Sequence, residues 1–228
     1  MRIWTGVGLV ATLFVSAPLS AAVDDPRLRY EQVVELDTNG GASVRTNITV
    51  ITGTVDVFIL PVDAGTPDQV SASGHAVSLT WDDGGRRLLL TPAERAAAGA
   101  GITVTFHLSA LSGAASSGSV ESRTFYRFTN TTGAAIERYR VELVLPSAHV
   151  FHSADSTDAH DRTNVAQLIS YGSRHALLLE DDLSTPGSRI TLNATHHREA
   201  HAPFVLPSLV LISLAYLIAF RDLPRKKP

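Results

Sequence analysis

An all-β chain is what this sequence predicts: two antiparallel β-sandwiches in tandem, followed by one C-terminal transmembrane helix. Three observations carry the prediction. Apolar and polar residues alternate with a period of two through the middle of the chain, with no sustained 3.6-residue period. Turn signals punctuate that alternation at Asn39-Gly40-Gly41, Asp82-Asp83-Gly84-Gly85, Thr132-Gly133 and Pro186-Gly187. Two long apolar blocks stand at the ends.

The N-terminal block reads as a secretory signal peptide over residues 1–22. Arg2 is a minimal basic lead and Ile3 to Val15 is the apolar run. Ser20-Ala21-Ala22 places small residues for cleavage before Val23. The alternative, an uncleaved anchor, asks an apolar run this short to span a hydrocarbon core of about 30 Å.

Val44, Thr46, Ile48 and Val50 alternate with Ser43, Arg45, Asn47 and Thr49. Ile102, Val104, Phe106 and Leu108 alternate with Thr103, Thr105 and His107, and Tyr139, Val141, Leu143 and Leu145 with Arg138, Arg140 and Glu142. Each run predicts a strand with one buried and one wet face. Only the alanine-rich Pro92 to Ala100 reads as a helical turn.

The middle also looks duplicated. Leu88 to Leu90 match Leu177 to Leu179 at an offset of 89, and Ile102-Thr103-Val104 match Ile190-Thr191-Leu192 at 88. Leu60-Pro61 matches Leu145-Pro146 at 85, and a Thr38-Asn39-Gly40 turn answers Thr131-Thr132-Gly133. The expected division is a sandwich at 23–108, a Gly/Ser/Ala linker at 109–119 and a second sandwich at 120–201. One larger sandwich with chance similarity is the alternative. Trp81, in phase with Val77 and Leu79, and Tyr171, in phase with Ile169, are expected core anchors.

The second copy has a strand entering Asn130-Thr131-Thr132-Gly133, a strand ending in Leu145-Pro146, and Thr185-Pro186-Gly187-Ser188 before a last strand from Arg189 to Thr195. This pattern resembles the immunoglobulin-like repeats of bacterial and archaeal secreted or surface-anchored proteins. The resemblance covers about 75 residues of the second copy and the first more loosely. It implies a sandwich fold and a spacing, display or binding role, with no shared catalytic residues to carry over.

Ala202 to Phe220 contains no charge, and as a helix it would be roughly 28 Å long, enough to span. Arg221, Arg225, Lys226 and Lys227 follow, so the positive-inside bias keeps residues 221–228 in the cytoplasm and the N-terminal bulk outside. The expected location is the cell membrane, crossed once, with an extracellular or periplasmic domain. A cleaved C-terminal sorting signal is the alternative, although no LPxTG is present.

Composition narrows the chemistry. The 228 residues carry a formal charge of −3 with no basic stripe, which argues against nucleic acid as a partner. Cysteine is absent, so disulfides, thiolate catalysis and Cys-type metal sites are excluded. No Gly-x-Ser-x-Gly, His-Glu-x-x-His, P-loop or dinucleotide fingerprint occurs, and a non-enzyme is expected.

The candidate metal ligands are Asp155, Asp158, His160 and Asp161, which could hold Ca²⁺ or, less well, Zn²⁺ if their segment is a loop; a solvated polar loop is the plain alternative. No other cofactor is expected. His149 and His152, three apart, would face opposite ways on a strand. His196, His197 and His201 read as a polar juxtamembrane spacer or a weak metal or pH-responsive group. Asn47, Asn130 and Asn193 head Asn-x-Thr sequons and are expected to be reachable for glycosylation.

The sequence thus points to a membrane-anchored, non-catalytic adhesion, binding or spacer ectodomain, or an accessory subunit of a membrane complex. Its partners would be membrane lipid and another membrane or surface protein or a cell-envelope glycan. The alternative is a metal-binding protein or metal-dependent enzyme using the 155–161 segment.

Overall fold

The alternation forms strands where it is found. The computed structural model describes residues 25–63, 65–75, 77–114, 120–163 and 165–198, and no helix occurs among them. The segments expected to be a signal peptide, a transmembrane helix and a cytoplasmic tail lie outside the described residues. Among the described residues no helix is long and apolar enough to cross a membrane.

The first half contributes β1 (Arg27–Leu36), β2 (Ala42–Thr52), β3 (Thr54–Val55), β4 (Phe58–Pro61), β5 (Asp68–Gly74), β6 (Val77–Asp82), β7 (Arg87–Pro92), β8 (Ala96–Ala97) and β9 (Gly101–Leu108). The second contributes β10 (Ser112–Ala114), β11 (Glu121–Thr129), β12 (Ala135–Val144), β13 (His149–Thr157), β14 (Gln167–Tyr171), β15 (Arg174–Leu183) and β16 (Arg189–Arg198). The inward rows are those the period predicts: Val44, Ile48 and Val50; Ile102, Val104 and Phe106; Tyr139, Val141, Leu143 and Leu145 are all buried.

The duplication is visible in the topology. The first half builds a four-strand run β1-β2-β9-β5 and a three-stranded sheet β4-β7-β6, besides the short β3-β8 pair. The second half builds β10-β11-β16-β13 and β12-β15-β14. Position by position the two strand orders are the same. The matched leucine runs occupy β7 and β15 and the Ile-Thr-Val and Ile-Thr-Leu runs β9 and β16, while Leu60-Pro61 ends β4 and Leu145-Pro146 directly follows β12. In the immunoglobulin constant-type order the fifth strand lies in the four-stranded sheet and the seventh in the three-stranded one. Here those two strands are exchanged in both halves.

The expected separation into two sandwiches with their own cores is corrected. β1 of the first half pairs in parallel with β12 of the second, from Arg27↔Ala135 to Glu35↔Val144, making one seven-stranded sheet β14-β15-β12-β1-β2-β9-β5. Tyr30 and Tyr139 stand side by side on its inner face. Tyr30 O–H donates to Ile59 O of β4 at 2.8 Å, while Tyr139 packs at a tilt against Phe128 of β11 with centroids 4.2 Å apart. The two smaller sheets therefore cover the same face, and their buried residues form one cluster. The cause is that β1 and β12 are amphipathic: each leaves an edge with an apolar row that pairing completes. Full burial of each of the three aromatic rings contributes about 2–3 kcal/mol, with Tyr30 and Phe128 also in contact at 5.8 Å.

At the joint sits a buried polar node. Gln32 occupies an inward position of β1 and is 4% exposed. Its Nε2 donates to Thr46 Oγ1 at 3.0 Å, and Tyr139 O–H donates to its Oε1 at 2.7 Å. Tyr126 O–H also reaches that Oε1, and the two phenol oxygens are 2.5 Å apart. Each group satisfies another, which is what permits their burial. Burial pushes the Tyr126 and Tyr139 hydroxyls above their ordinary range, so both remain neutral donors.

Four smaller expectations are corrected. Residues 112–114 of the expected linker form β10, because Leu111 buries and Leu111 N–H and Ser112 N–H both donate to Gly40 O at 2.8 Å. Ala96 and Ala97 pair with β3, leaving no helical turn there. The Asn39-Gly40 turn closes the β1–β2 hairpin, whereas Thr131 to Gly133 carries the chain between different sheets, so these two turns are not equivalent. Trp81 packs against the core, but Tyr171 ends the edge strand β14 and is 50% exposed.

Candidate functional site

Asp155 lies on β13, exposed and opposite Asn193, so it is on a strand and not in the expected loop. Asp158 follows the strand and turns inward, its side chain only 1% exposed. Its Oδ1 accepts from His160 N–H at 3.0 Å and Arg162 N–H at 2.9 Å, and Arg162 Nε donates to Oδ2 at 2.5 Å. Burial raises the Asp158 carboxyl, but these donors and the Arg162 charge outweigh it and hold it below the usual carboxylate range. Asp161 is exposed with φ 58°, and its N–H donates to Asp158 O.

The sequence-predicted ligands are thus only partly gathered. Asp158 and His160 meet Asp181 of β15, with one ligand atom from each within 4.8 Å of the others; Asp155 and Asp161 are not in that group. Asp181 Oδ2 accepts from Ala159 N–H at 2.7 Å, and Arg162 Nη2 lies 3.7 Å from its Oδ1. Arg162 therefore already supplies positive charge to both buried carboxylates, and the arrangement is a capped turn neutralised by its own cation. His160 lies between Asp181 and Asp182, at 3.6 and 3.9 Å. Asp181, 23 residues from Asp158, was outside any local spacing argument; only the antiparallel pairing of β15 with β12 positions it.

The sequons separate into two kinds. Asn47 and Asn193 lie half-buried on outward rows, accepting from Thr103 Oγ1 at 2.8 Å and Arg123 Nε at 3.0 Å. Asn130 corrects the expectation that all three are reachable: it is fully buried. Its Nδ2 donates to Ala134 O at 2.9 Å and Leu183 O at 2.7 Å, and its Oδ1 accepts from Thr132 N–H and Oγ1. Its main chain also clasps the loop before β16, with Asn130 N–H donating to Ser188 O and Gly187 N–H donating to Asn130 O. The Asn-Thr-Thr-Gly segment is a structural clamp.

Two further places have polar character. A hollow of about 610 Å³ opens beside Glu35, Arg45, Gln69 and His107 on the seven-stranded sheet. There His107 lies 3.1 Å from Asp68 and 3.5 Å from Asp37. Burial raises the Asp37 carboxyl, but the N–H groups of Asn39 and Gly41 and the His107 ring overcome this and lower it. On the inner face of the four-stranded sheet, His196 is 3% exposed. Its Nε2 lies 3.1 Å from Thr124 Oγ1 and 3.3 Å from Ser112 Oγ, and its ring meets His149 at 5.8 Å. Burial, helped by the His149 and His197 rings, drives its pKa down to about 4.

No protein-family profile matches the chain, and no curated protein matches it. Among solved structures, it is similar to an M1 zinc metallopeptidase from Deinococcus radiodurans at 11% identity and a TM-score of 0.42. A mutant of that enzyme bound to a Tyr-Ser-Ala substrate matches at 10% identity and 0.42. The similarity covers 75% of this chain and spans 42% of the length of either metallopeptidase chain.

Proposed function

We propose that the protein is a membrane-anchored extracytoplasmic ectodomain that acts without catalysis, as a stiff spacer that displays a binding or adhesion surface or as an accessory subunit of a membrane complex. The observation that supports this is the parallel β1–β12 joint. Tandem modules on a flexible linker would swing independently; here nine register pairs and a shared core join the halves. A support that holds a surface at a set distance from a membrane requires that stiffness. The units are then counterparts of immunoglobulin-like repeats in their layering, with the fifth and seventh strands exchanged.

The chain's order fits the same reading. β16 ends at Arg198, and the uncharged Ala202 to Phe220 segment with its basic tail follows within a few residues. At the far side of the seven-stranded sheet, β14 is an edge strand with Leu168 62% and Tyr171 50% exposed, a place for a surface protein or an envelope glycan to dock.

Fractionation of cells producing the full chain, beside a version ended at His201, tests the reading. The full chain is expected in the membrane and accessible to external protease, with the shortened one released. Equal partition of the two, or protection of the full chain, overturns it. Cross-linking on intact cells, followed by mass spectrometry, then identifies the partner.

A further inference from the structure

The register of the four-stranded sheet brings together three side chains that are far apart in sequence. His197 on β16 pairs across to Glu121 on β11 and, on its other side, to Val150 on β13. Alternation along β13 puts His152, two residues beyond Val150, on the same face as His197. A β-bulge follows: the β13–β16 register shifts between Phe151 and Ser153. The extra residue at a bulge lets two successive side chains share a face. Ser153 meets Thr195 on the outer face at 2.6 Å, and His152 stands beside it, its ring 6.3 Å from that of His197. His149 remains on the inner face against His196.

We propose that Glu121, His152 and His197 form a site for one divalent transition-metal ion, zinc by its ligand chemistry, on the outer face of this sheet. One ligand atom from each lies within 4.8 Å of the other two, and His152 Nδ1 is 3.9 Å from Glu121 Oε1. Ligands around a tetrahedral zinc with bonds of about 2.0–2.1 Å stand roughly 3.3 Å apart, so small side-chain rotations close the site. Two imidazoles and one carboxylate, with no thiolate, suit Zn²⁺ and leave a fourth position for water. Ca²⁺ prefers an all-oxygen shell of six to eight ligands, which this row does not offer.

A second observation points the same way. His197 Nδ1 is shut off from water and has no hydrogen-bond partner among the described residues. An unsatisfied buried nitrogen costs about 1–3 kcal/mol. The His152–Glu121 ion pair does not account for it, since those side chains are 61% and 35% exposed and such pairs contribute little. Metal coordination through Nδ1 would give that nitrogen the partner it lacks. The ion would also fasten the edge strand β13 to β16 and β11, at the end of the sheet from which the chain continues toward Ala202.

The test uses the full chain in detergent, purified on a tag without histidine, stripped with chelator and dialysed against micromolar ZnCl₂. One zinc per chain is expected, unaffected by excess Ca²⁺. Zinc at a hundredfold excess over its Kd is expected to raise Tm by about 5–10 °C. His152→Ala and Glu121→Gln are each expected to weaken binding on the order of 100-fold or more, the upper range for disturbing even an outer partner of a metal ligand. His160→Ala and His149→Ala should leave it unchanged. Absence of saturable binding, wild-type affinity in both ligand variants, or loss of binding in His160→Ala overturns the assignment.

Discussion

Replacing Gln32 by Leu removes the polar centre of the joint while nearly conserving volume, so little cavity enters the result. Thr46 Oγ1 loses the donor 3.0 Å away, and the phenols of Tyr126 and Tyr139 lose their common acceptor. The two phenols still face each other at 2.5 Å, so one O–H retains an acceptor and the other does not. Two buried groups are left unsatisfied, each costing about 1–3 kcal/mol, against about 1 kcal/mol recovered from the added apolar surface. The net expectation is a loss of about 3 kcal/mol. Urea unfolding of the full chain in detergent, followed by Trp81 fluorescence and by circular dichroism, should show the midpoint falling by about 1 M at a slope near 3 kcal/mol per molar. Both probes should move together, since Trp81 lies in the first half and the node joins the halves. Adding Tyr126→Phe and Tyr139→Phe removes the orphaned hydroxyls, and this triple variant should be more stable than Gln32→Leu alone. A midpoint shift below about 0.3 M, or Phe substitutions that simply add their own losses, refutes the reasoning about the node.

Gly40 and Gly133 both have positive φ, at 88° and 73°, but only at Gly40 would a Cβ strike backbone, 2.3 Å from Ser112 O. Alanine at Gly133 should cost about 1 kcal/mol and at Gly40 clearly more, by thermal unfolding; equal losses would contradict the packing of that turn on β10. In a host that N-glycosylates, peptide mass spectrometry is expected to find glycan at Asn47 and Asn193 and none at Asn130, and a glycosylated Asn130 in folded protein would defeat its assignment as a clamp. The Asp158 carboxyl is held below its ordinary value in the folded state, so the unfolded chain takes up its proton first as pH falls. Its contribution is therefore complete above the ordinary carboxylate range and is lost as pH drops through the folded value. Asp158→Asn should lower stability by roughly 2 kcal/mol at neutral pH and flatten the acid side of the urea-midpoint profile; an unchanged acid slope counts against the Arg162 pairing.

The strand content was readable because burial on one face leaves a period of two, and Val44 to Val50 or Tyr139 to Leu145 show it without help from distant residues. The repeat was readable because equivalent strands demand equivalent apolar runs, as at Leu88 to Leu90 and Leu177 to Leu179. Tyr171 misled because its phase describes which face it takes, while exposure depends on β14 being the sheet edge. Asn130 misled because a turn was assumed to mean solvent, whereas the loop ahead of β16 folds over it. The 155–161 segment drew attention by density of ligands along the chain, yet its ion pairing is completed by Asp181 from β15.

Local chemistry alone determined that this chain alternates, turns at its glycines and prolines, lacks cysteine chemistry and carries apolar ends. Period, turn residues and composition act over a few neighbours, so one dimension records them. Tertiary structure decided that the halves share a sheet through β1 and β12, that Gln32 meets two tyrosines from the other half, and that strand register brings His152 beside His197 and Glu121. Those outcomes depend on register and edge pairing between strands some 30 to more than 100 residues apart, which no local pattern encodes.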